Sequence, residues 1–431
     1  MAKANNVPTI VLIVLSVLLS GCAGTSNEEI QGCMDEVAQN YDESATLDDD
    51  SCSYLDTDGD GVFDHLEVPG CVDEGATNYD SSATDDDGSC AYPPASQYST
   101  AWSEVGMDMP CQCSDGSNYS VWHRDASQTH VVLYFQGGGA CWNDFTCVVP
   151  GGTYKTNTGE WDDPTPSTQE NSNAGGIFNF ANHDNPLVDY SFIFVPYCSG
   201  DIHVGNNNVT YEHGEVQHRG HLNAMSGFEL MKSMYPNAEE IFVTGSSAGS
   251  IPATLYAMKS AMDYPDASVS AFNDATGGLV SLETIDLDTL WSINETMSDF
   301  SLDGVVSFNN LSSADLVIVP AMQNLGIKFA RYDNAYDNTM RYFNGLLDNP
   351  PFDYNEQIRI SENEIEEAGV DISGFIAPGD GHTILGNSGF YELEVEGHSF
   401  LEWFTSFVEG GQPEDVHCTD DCNLNPDGST V

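Results

Sequence analysis

Beyond residue 98, short unbroken apolar runs alternate with longer segments of helical spacing. The unbroken runs predict strands that are buried on both faces, as in a parallel sheet, and they cover residues 129–136, 191–196 and 240–244. The helix-period segments cover residues 222–234, 248–262 and 398–408. The alternation predicts an α/β fold over residues 98–431, with a mostly parallel sheet flanked by helices.

The N-terminal end has the pattern of an export signal. Lys3 precedes an apolar run over residues 7–18, which is too short to span a bilayer but typical of a signal-peptide core. The following Leu-Ser-Gly-Cys, ending at Cys22, resembles the lipobox of prokaryotic lipoproteins, which implies a lipidated Cys22. We therefore expect a lipoprotein signal peptide over residues 1–21 and an extracytoplasmic protein that meets the membrane only through its lipid anchor. The alternative is an ordinary secretory signal in which Cys22 is incidental.

Residues 22–97 predict a small acidic stalk that contains two repeats. The copies at residues 32–54 and 70–92 share Asn-Tyr-Asp and Ser-Ala-Thr at a period of 38. Each copy has two cysteines at the same spacing, so we expect each to close its own disulfide, Cys33 with Cys52 and Cys71 with Cys90. Each closure stabilises its unit by about 3 kcal/mol on loop-entropy arithmetic.

A calcium-loop pattern lies between the two repeats, over residues 56–67. Oxygen ligands fall at the positions that an EF-hand loop requires, with Gly61 at the sharp turn. The predicted ligands are Asp56, Asp58, Asp60, Val62 through its carbonyl, Asp64 and Glu67. We expect Ca²⁺ to stiffen this stalk, whereas the alternative is a solvated acidic linker.

Composition narrows the class of protein further. Ten Lys and Arg against 68 Asp and Glu give a net charge of −58 in 431 residues, which excludes nucleic acid as a partner because phosphate binding needs clustered cations. Twelve cysteines indicate an oxidising compartment. Such an acidic surface fits a secreted, salt-adapted protein, since charges are screened within about 3 to 4 Å at marine or higher salt.

Two glycine-rich motifs directly follow predicted strands. Gly245-Ser-Ser-Ala-Gly249 has the Gly-x-Ser-x-Gly pattern, in which the chain turns sharply and exposes a serine, here Ser247, above a helix N-terminus. The triplet Gly137–Gly139 lets backbone N–H groups approach a ligand. Together with the N–H of Ala248, these groups could form an oxyanion hole.

A general base and an acid should follow the serine along the chain. His382, in a tight loop after the apolar run at residues 374–376, is the best placed of eleven histidines. Three carboxylates remain open as its partner. Asp333 and Asp337 follow an expected strand at residues 327–332, and Asp274 follows the run at residues 269–272.

Five blocks of sequence together resemble the pectin acetylesterase and Notum carboxylesterase family, which has the α/β-hydrolase fold. They are residues 113–117 (CSDGS), 135–142 (FQGGGACW), 195–201 (VPYCSGD), 245–249 (GSSAG) and 380–382 (DGH). The resemblance implies a Ser247, His382 and Asp337 triad, with Gly138, Gly139 and Ala248 as oxyanion donors. It also implies disulfides between Cys113 and Cys198 and between Cys141 and Cys147. Two departures are Ser250, where the family usually has glycine, and Gln136, where plant and animal members have Glu.

Three cysteines remain after these assignments. Cys418 and Cys422 are close enough in the chain to bridge locally, which leaves Cys111 as the odd thiol.

The predicted function is that of a serine carboxylesterase that needs no cofactor for catalysis. By resemblance, the substrate is an acylated glycan or a related ester, most often an acetyl ester. The alternative from another class is a catalytically inert surface protein that binds a glycan and is presented by its calcium stalk.

Overall fold

The computed structural model describes residues 29–57, 61–72, 76, 78–87, 89–90, 99–148, 152–158, 175–302, 308, 311–323, 325–349, 352–425 and 429–431. The expected signal peptide, Cys22, Asp58 and Asp60 lie outside these residues. The chain divides into two compact units, residues 1–92 and residues 93–431. Among the described helices, none has the length and apolar character needed to cross a bilayer.

The first unit contains the two repeats, and their shared residues make equivalent hydrogen bonds. In the first repeat the side chain of Asn40 donates to Ser51 O at 2.7 Å, and in the second Asn78 donates to Ser89 O at 2.8 Å. Two short parallel pairs of strands occur at matching positions: β1 (Gln31–Gly32) with β2 (Leu47–Asp48), and β3 (Pro69–Gly70) with β4 (Asp85–Asp86). The residues that the two repeats share therefore include those whose side chains hold each loop closed.

Disulfides occur within each unit, at the positions that the sequence predicted. Each repeat is closed by its own bond, and the second unit contains two long-range or local bonds of the implied pairing plus one near the C-terminus. The pairs are Cys33–Cys52, Cys71–Cys90, Cys113–Cys198, Cys141–Cys147 and Cys418–Cys422. Cys111 is a free, half-buried thiol.

The second unit is built on a mixed sheet in which nine described strands follow the order β17-β14-β13-β12-β11-β7-β8-β6-β5. The seven strands from β17 to β8 are parallel, and β6 and β5 join antiparallel at one edge. Strand bounds in the unit are β5 (Ser103–Gly106), β6 (Ser120–Arg124), β7 (His130–Phe135), β8 (Ser191–Val195), β9 (Asn207–Tyr211), β10 (Gly214–His218), β11 (Glu240–Ser246), β12 (Ser268–Asp274), β13 (Lys328–Asn334), β14 (Ile372–Ala377), β15 (Glu394–Val395), β16 (His398–Ser399) and β17 (Val416–His417).

Helices cover this sheet, giving the α/β-hydrolase-like architecture expected from the sequence. Helix α8 (Phe400–Val408), for example, places the ring of Phe404 5.0 Å from that of Phe272 and 5.7 Å from that of Phe242, so aromatic side chains pack between this helix and the sheet. The helices are α1 (Gly220–Met234), α2 (Ser250–Asp263), α3 (Leu287–Trp291), α4 (Ile293–Thr296), α5 (Asp315–Ala321), α6 (Asn338–Leu346), α7 (Tyr354–Glu367) and α8 (Phe400–Val408).

Helix starts differ from the sequence expectation where local bonding takes precedence over apolar spacing. Helix α2 begins at Ser250 because Ser247–Gly249 form a 3₁₀ turn first. Helix α8 begins at Phe400 because His398–Ser399 pair with Glu394–Val395. The antiparallel edge and the β9–β10 hairpin were not expected, since their residues are largely polar.

Candidate active site

The turn after β11 holds Ser247 in a strained backbone conformation. Its φ is +55°, in the left-handed region that residues with a Cβ rarely adopt. Only glycine fits at position 249, because a Cβ on Gly249 would lie 2.1 Å from the carbonyl oxygen of Phe135, the last residue of β7. The turn is therefore pressed against the neighbouring strand, which projects Ser247 at the carboxyl edge of the sheet.

The triglycine loop after β7 lies directly against this turn. A Cβ on Gly137 would come 2.3 Å from Ser246 O, and Gly139 has a φ of +78° with Thr153 O 1.8 Å from its Cβ position. The N–H groups of Gly138, Gly139 and Ala248 take part in none of the hydrogen bonds found among the described residues. These amides are the predicted oxyanion donors, and they remain available to a ligand.

Gln136 anchors the start of the loop from both its side chain and its backbone. The side-chain oxygen accepts from Tyr197 N at 3.0 Å, and the carbonyl accepts from His203 Nε2 at 2.8 Å. His203 is fully buried, and burial lowers its pKa to about 4. The imidazole is therefore neutral near pH 7 and donates from Nε2. Gln136 thus fits its site in place of the family's usual Glu.

Ser250, the other departure from the family pattern, is also accommodated. It is fully buried, and its hydroxyl donates to Thr276 Oγ1 at 2.9 Å. The start of α2 therefore gains a satisfied polar contact where a glycine would make none.

His382 and Asp337 form a close pair at the ends of adjacent strands. Asp337 follows β13 and His382 follows β14, and His382 Nδ1 lies 2.7 Å from Asp337 Oδ2. The carboxylate is almost fully buried, whereas the imidazole keeps 21% of its side chain exposed. Asp337 therefore fixes Nδ1 as the protonated nitrogen and leaves Nε2 for proton transfer.

The pKa of His382 is raised above its ordinary value of 6.5. Burial acts to lower it, but the hydrogen bond and charge of Asp337, with the charges of Asp274 and Asp333, outweigh burial. The imidazolium is therefore favoured, and the neutral form that can accept a proton is complete only at a pH above this raised value.

The other two acids considered from the sequence do not contact the imidazole. Asp333 accepts from Gly277 N at 2.8 Å and lies 3.7 Å from Arg331 Nε, and burial raises its pKa to about 7. Asp274 accepts from Ser246 Oγ and from two backbone N–H groups beyond His382. Of the three candidates, the structure brings only Asp337 to His382.

Two cavities of different character meet at Ser247. The inner one encloses ≈ 50 Å³ and is almost entirely apolar, with Trp142, Ile202, Trp291, Met340 and Phe343 among its walls. The outer one encloses ≈ 710 Å³ and contains His382, the triglycine loop, Lys155 and Tyr342. Gly139, Ser247 and Phe343 line both. The serine thus lies between a narrow apolar pocket and a wide groove lined by both polar and apolar groups.

No sequence signal indicated the inner pocket, because its walls come from segments scattered from residue 139 to residue 347. A metal is not favoured by the one group of potential ligands found among the described residues. That group is Cys141, Cys147 and His218, and its two sulfurs are joined in a disulfide.

The predicted calcium ligands lie in the first unit and are described in part. Gly61, with a φ of +92°, donates its N–H to Asp56 Oδ2 at 3.2 Å. Asp64 accepts from the N–H of Thr57 at 2.8 Å and from its hydroxyl at 2.7 Å. Gly61 therefore has the positive φ expected at the turn, and Thr57 and Asp64, at positions 2 and 9 of the segment, are in contact.

A parallel sheet with a serine turn, a facing glycine loop and a His–Asp pair at one edge defines an α/β hydrolase. Residues 106–299 match the family model Pectinacetylesterase. The second unit is therefore similar to the pectinacetylesterase family over these 194 residues. The matched segment includes the triglycine loop and Ser247 but ends before Asp337 and His382.

A curated relative is the palmitoleoyl-protein carboxylesterase notum2 of Xenopus laevis. It is 25% identical over 145 residues, which are 32% of this chain and 27% of that protein. The chain thus spans about a quarter of this relative's length.

Replacing Asp337 with Asn should lower the pKa of His382 below 6.5, because burial then acts without the principal opposing carboxylate. The measurement is a pH titration of the imidazole Cε1–H signal by NMR, with His382→Gln to assign the resonance. Asp333→Asn is the matched control and should leave a raised pKa, since Asp333 makes no hydrogen bond to the ring. An unchanged titration in Asp337→Asn would refute the pairing.

Proposed function

We propose that the second unit is a serine carboxylesterase in which Ser247 is the nucleophile, His382 the general base and Asp337 the orienting acid. The observation that carries the proposal is that Ser247 and His382 line one cavity together with the triglycine loop. Asp337 lies behind the imidazole, on Nδ1, which is the side opposite to the nitrogen that must take the proton. The match of residues 106–299 to the pectinacetylesterase family model supports the same chemistry.

In the proposed reaction, Ser247 Oγ attacks the ester carbonyl while His382 Nε2 takes the hydroxyl proton. The oxyanion that develops receives hydrogen bonds from the N–H groups of Gly138, Gly139 and Ala248. Each such donor typically contributes on the order of 3 kcal/mol to the transition state. His382 then protonates the leaving alcohol, and water releases the acid by the same steps with the acyl-serine as the ester.

The two cavities favour a short acyl group on a large polar alcohol. A volume of ≈ 50 Å³ holds roughly three or four water-sized groups, which matches an acetyl rather than a fatty chain. The groove of ≈ 710 Å³ can take sugar residues, and the exposed ring of Tyr342 offers a surface for stacking. We therefore propose an acetylated or similarly short-acylated glycan.

The direct test is hydrolysis of p-nitrophenyl acetate by wild type and by Ser247→Ala. The variant should lose at least about 10³-fold in kcat, because the nucleophile is removed while the amides and pocket remain. Circular dichroism should show that the variant is folded. Equal rates would refute the esterase and leave the inert glycan-binding protein as the function.

A second test concerns acyl length. Wild type should hydrolyse p-nitrophenyl acetate with a kcat/KM at least about 10-fold above that for the octanoate, since the inner pocket is too small for the longer chain. Phe343→Ala removes a ring that lines both cavities, so it should raise octanoate activity relative to acetate. Tyr342→Ala is the matched control, because Tyr342 lines only the outer groove and its loss should leave the preference unchanged. A preference for octanoate in wild type would contradict the short-acyl proposal.

We also propose that the enzyme acts outside the cytoplasm and is held to the membrane by lipid on Cys22. The support is the lipobox resemblance together with disulfides in both units, which persist in oxidising compartments. A durable anchor needs more than one acyl chain, as lipobox processing normally supplies.

For the first unit we propose a Ca²⁺ ion held by Asp56, Asp58, Asp60, the carbonyl of Val62, Asp64 and Glu67. The donors are all oxygens, which Ca²⁺ prefers, and the positive φ of Gly61 fits the sharp turn of such a loop. The ion would stiffen a segment whose carboxylates otherwise repel one another.

Terbium luminescence tests this site, since Tb³⁺ replaces Ca²⁺ and is sensitised by a nearby tyrosine. The ring of Tyr54 lies 5.1 Å from that of Phe63, a residue of the loop, so sensitised emission should appear and Ca²⁺ should compete it away. The double variant Asp56→Asn, Glu67→Gln should lose the emission. The control Asp49→Asn, which also replaces a carboxylate with an amide but lies outside the loop, should keep it. Undiminished emission in the double variant would rule out this loop.

A further inference from the structure

Asp274 is a buried carboxylate that joins the nucleophile turn to the loop carrying His382. It ends β12, whose residue register places it beside Ser246, and it is fully buried. Its Oδ2 accepts from Ser246 Oγ at 2.7 Å. Ser246 immediately precedes Ser247, so one oxygen of Asp274 is bonded to the turn that carries the nucleophile.

The same carboxylate is bonded to the chain just beyond His382. Oδ1 accepts from Ile384 N at 2.9 Å, and Oδ2 also accepts from Leu385 N at 3.1 Å. Both residues are buried, so their N–H groups have no water to replace this acceptor. Asp274 therefore fixes the backbone two and three residues after the base.

The chain on both sides of this contact is in a restricted conformation. Ala275, next to Asp274, has a φ of +70°, and Thr383, next to His382, has a φ of +68°. Left-handed conformations at residues with a Cβ persist where surrounding contacts hold them. A carboxylate that accepts two successive N–H groups supplies such a contact directly beyond Thr383.

A third side chain extends this network to the substrate groove. Tyr134 donates its hydroxyl to Ser246 Oγ at 3.0 Å, and Tyr134 lines the outer cavity with Ser247 and His382. Ser246 thus accepts from Tyr134 and donates to Asp274. These hydrogen bonds form a chain that leads from Tyr134 through Ser246 and Asp274 to the backbone of residues 384–385. The chain contacts both the turn that carries Ser247 and the loop that carries His382.

We propose that Asp274 is a positioning residue of this active site, which holds the His382 loop in fixed relation to the Ser247 turn. The proposal rests on the proposed esterase function for its kinetic consequence. The acid that bonds to the imidazole is Asp337, and Asp274 acts through the backbone on the other side of His382. Two buried carboxylates thus restrain the base, one through its ring and one through its loop.

Asp274→Asn is the decisive variant. An amide has one acceptor oxygen, so its NH₂ group faces an N–H donor and the contact with Ile384 or Leu385 is lost. The kcat for p-nitrophenyl acetate should fall about 10- to 100-fold because the base is misplaced, while KM should change less than about 3-fold because no pocket wall is altered. Hydrogen exchange should accelerate in the peptide that contains residues 384 and 385.

Asp333→Asn is the matched control, since Asp333 is equally buried and is the next-to-last residue of the neighbouring strand β13, but it makes no hydrogen bond to the described residues 382–385. It should leave both kcat and exchange at 384–385 near wild type. The proposal is overturned if Asp274→Asn keeps its kcat, if exchange at 384–385 does not change, or if Asp333→Asn produces the same losses.

Two further readouts keep the result unambiguous. If Asp274→Asn does not fold, Ser246→Ala removes one partner of Asp274 at small cost and should still lower kcat about 2- to 5-fold, so an unchanged kcat overturns the proposal. If wild type hydrolyses no ester, the esterase function fails, but exchange at 384–385 in Asp274→Asn still decides whether Asp274 restrains the loop.

Discussion

The close approach of two backbone turns at the carboxyl edge of the sheet is the constraint on which the site depends. Parallel strands β7 and β11 lie side by side, so the loops that leave them meet. The space between them admits no Cβ, since one on Gly249 would reach the Phe135 carbonyl and one on Gly137 would reach that of Ser246. The two backbone segments are in direct contact with no side chain between them, and this contact brings the amides of the triglycine loop beside the serine hydroxyl.

Three buried carboxylates lie near this contact, and their negative charges would repel one another if they occupied the same position. The structure separates them by giving each its own donors: a ring nitrogen and a helix N–H for Asp337, two loop N–H groups and a hydroxyl for Asp274, and a backbone N–H near an arginine for Asp333. In a chain of net charge −58, this separation leaves Asp337 as the acid of the three that contacts the imidazole. Their combined charge nevertheless raises the pKa of His382.

The sequence was sufficient for the parts of the fold that local pattern determines. Buried parallel strands are apolar on both faces, so β7, β8 and β11 were predicted within two residues of their observed ends. The glycines of both loops were informative because their conformations exclude other residues. Asp274, Asp333 and Asp337 could not be distinguished, since all three end strands or follow them closely and only packing decides which one reaches His382. The inner pocket was invisible for a similar reason, because no motif connects Trp142, Ile202 and Phe343.

Helix α6 connects the walls of the proposed acyl pocket to Asp337, the proposed catalytic acid. Asp337 directs Oδ2 to His382, while its Oδ1 accepts from Met340 N at 2.9 Å and so caps the helix. That helix supplies Met340 and Phe343 to the inner pocket and Tyr342 to the outer groove. It therefore lines both cavities, and its first turn is capped by the residue that we propose to orient the base. Because one carboxylate sets both positions, a shift of α6 that enlarged the pocket would also disturb the imidazole. Acyl specificity in this site should for that reason change more readily through side chains on the helix than through movement of the helix itself.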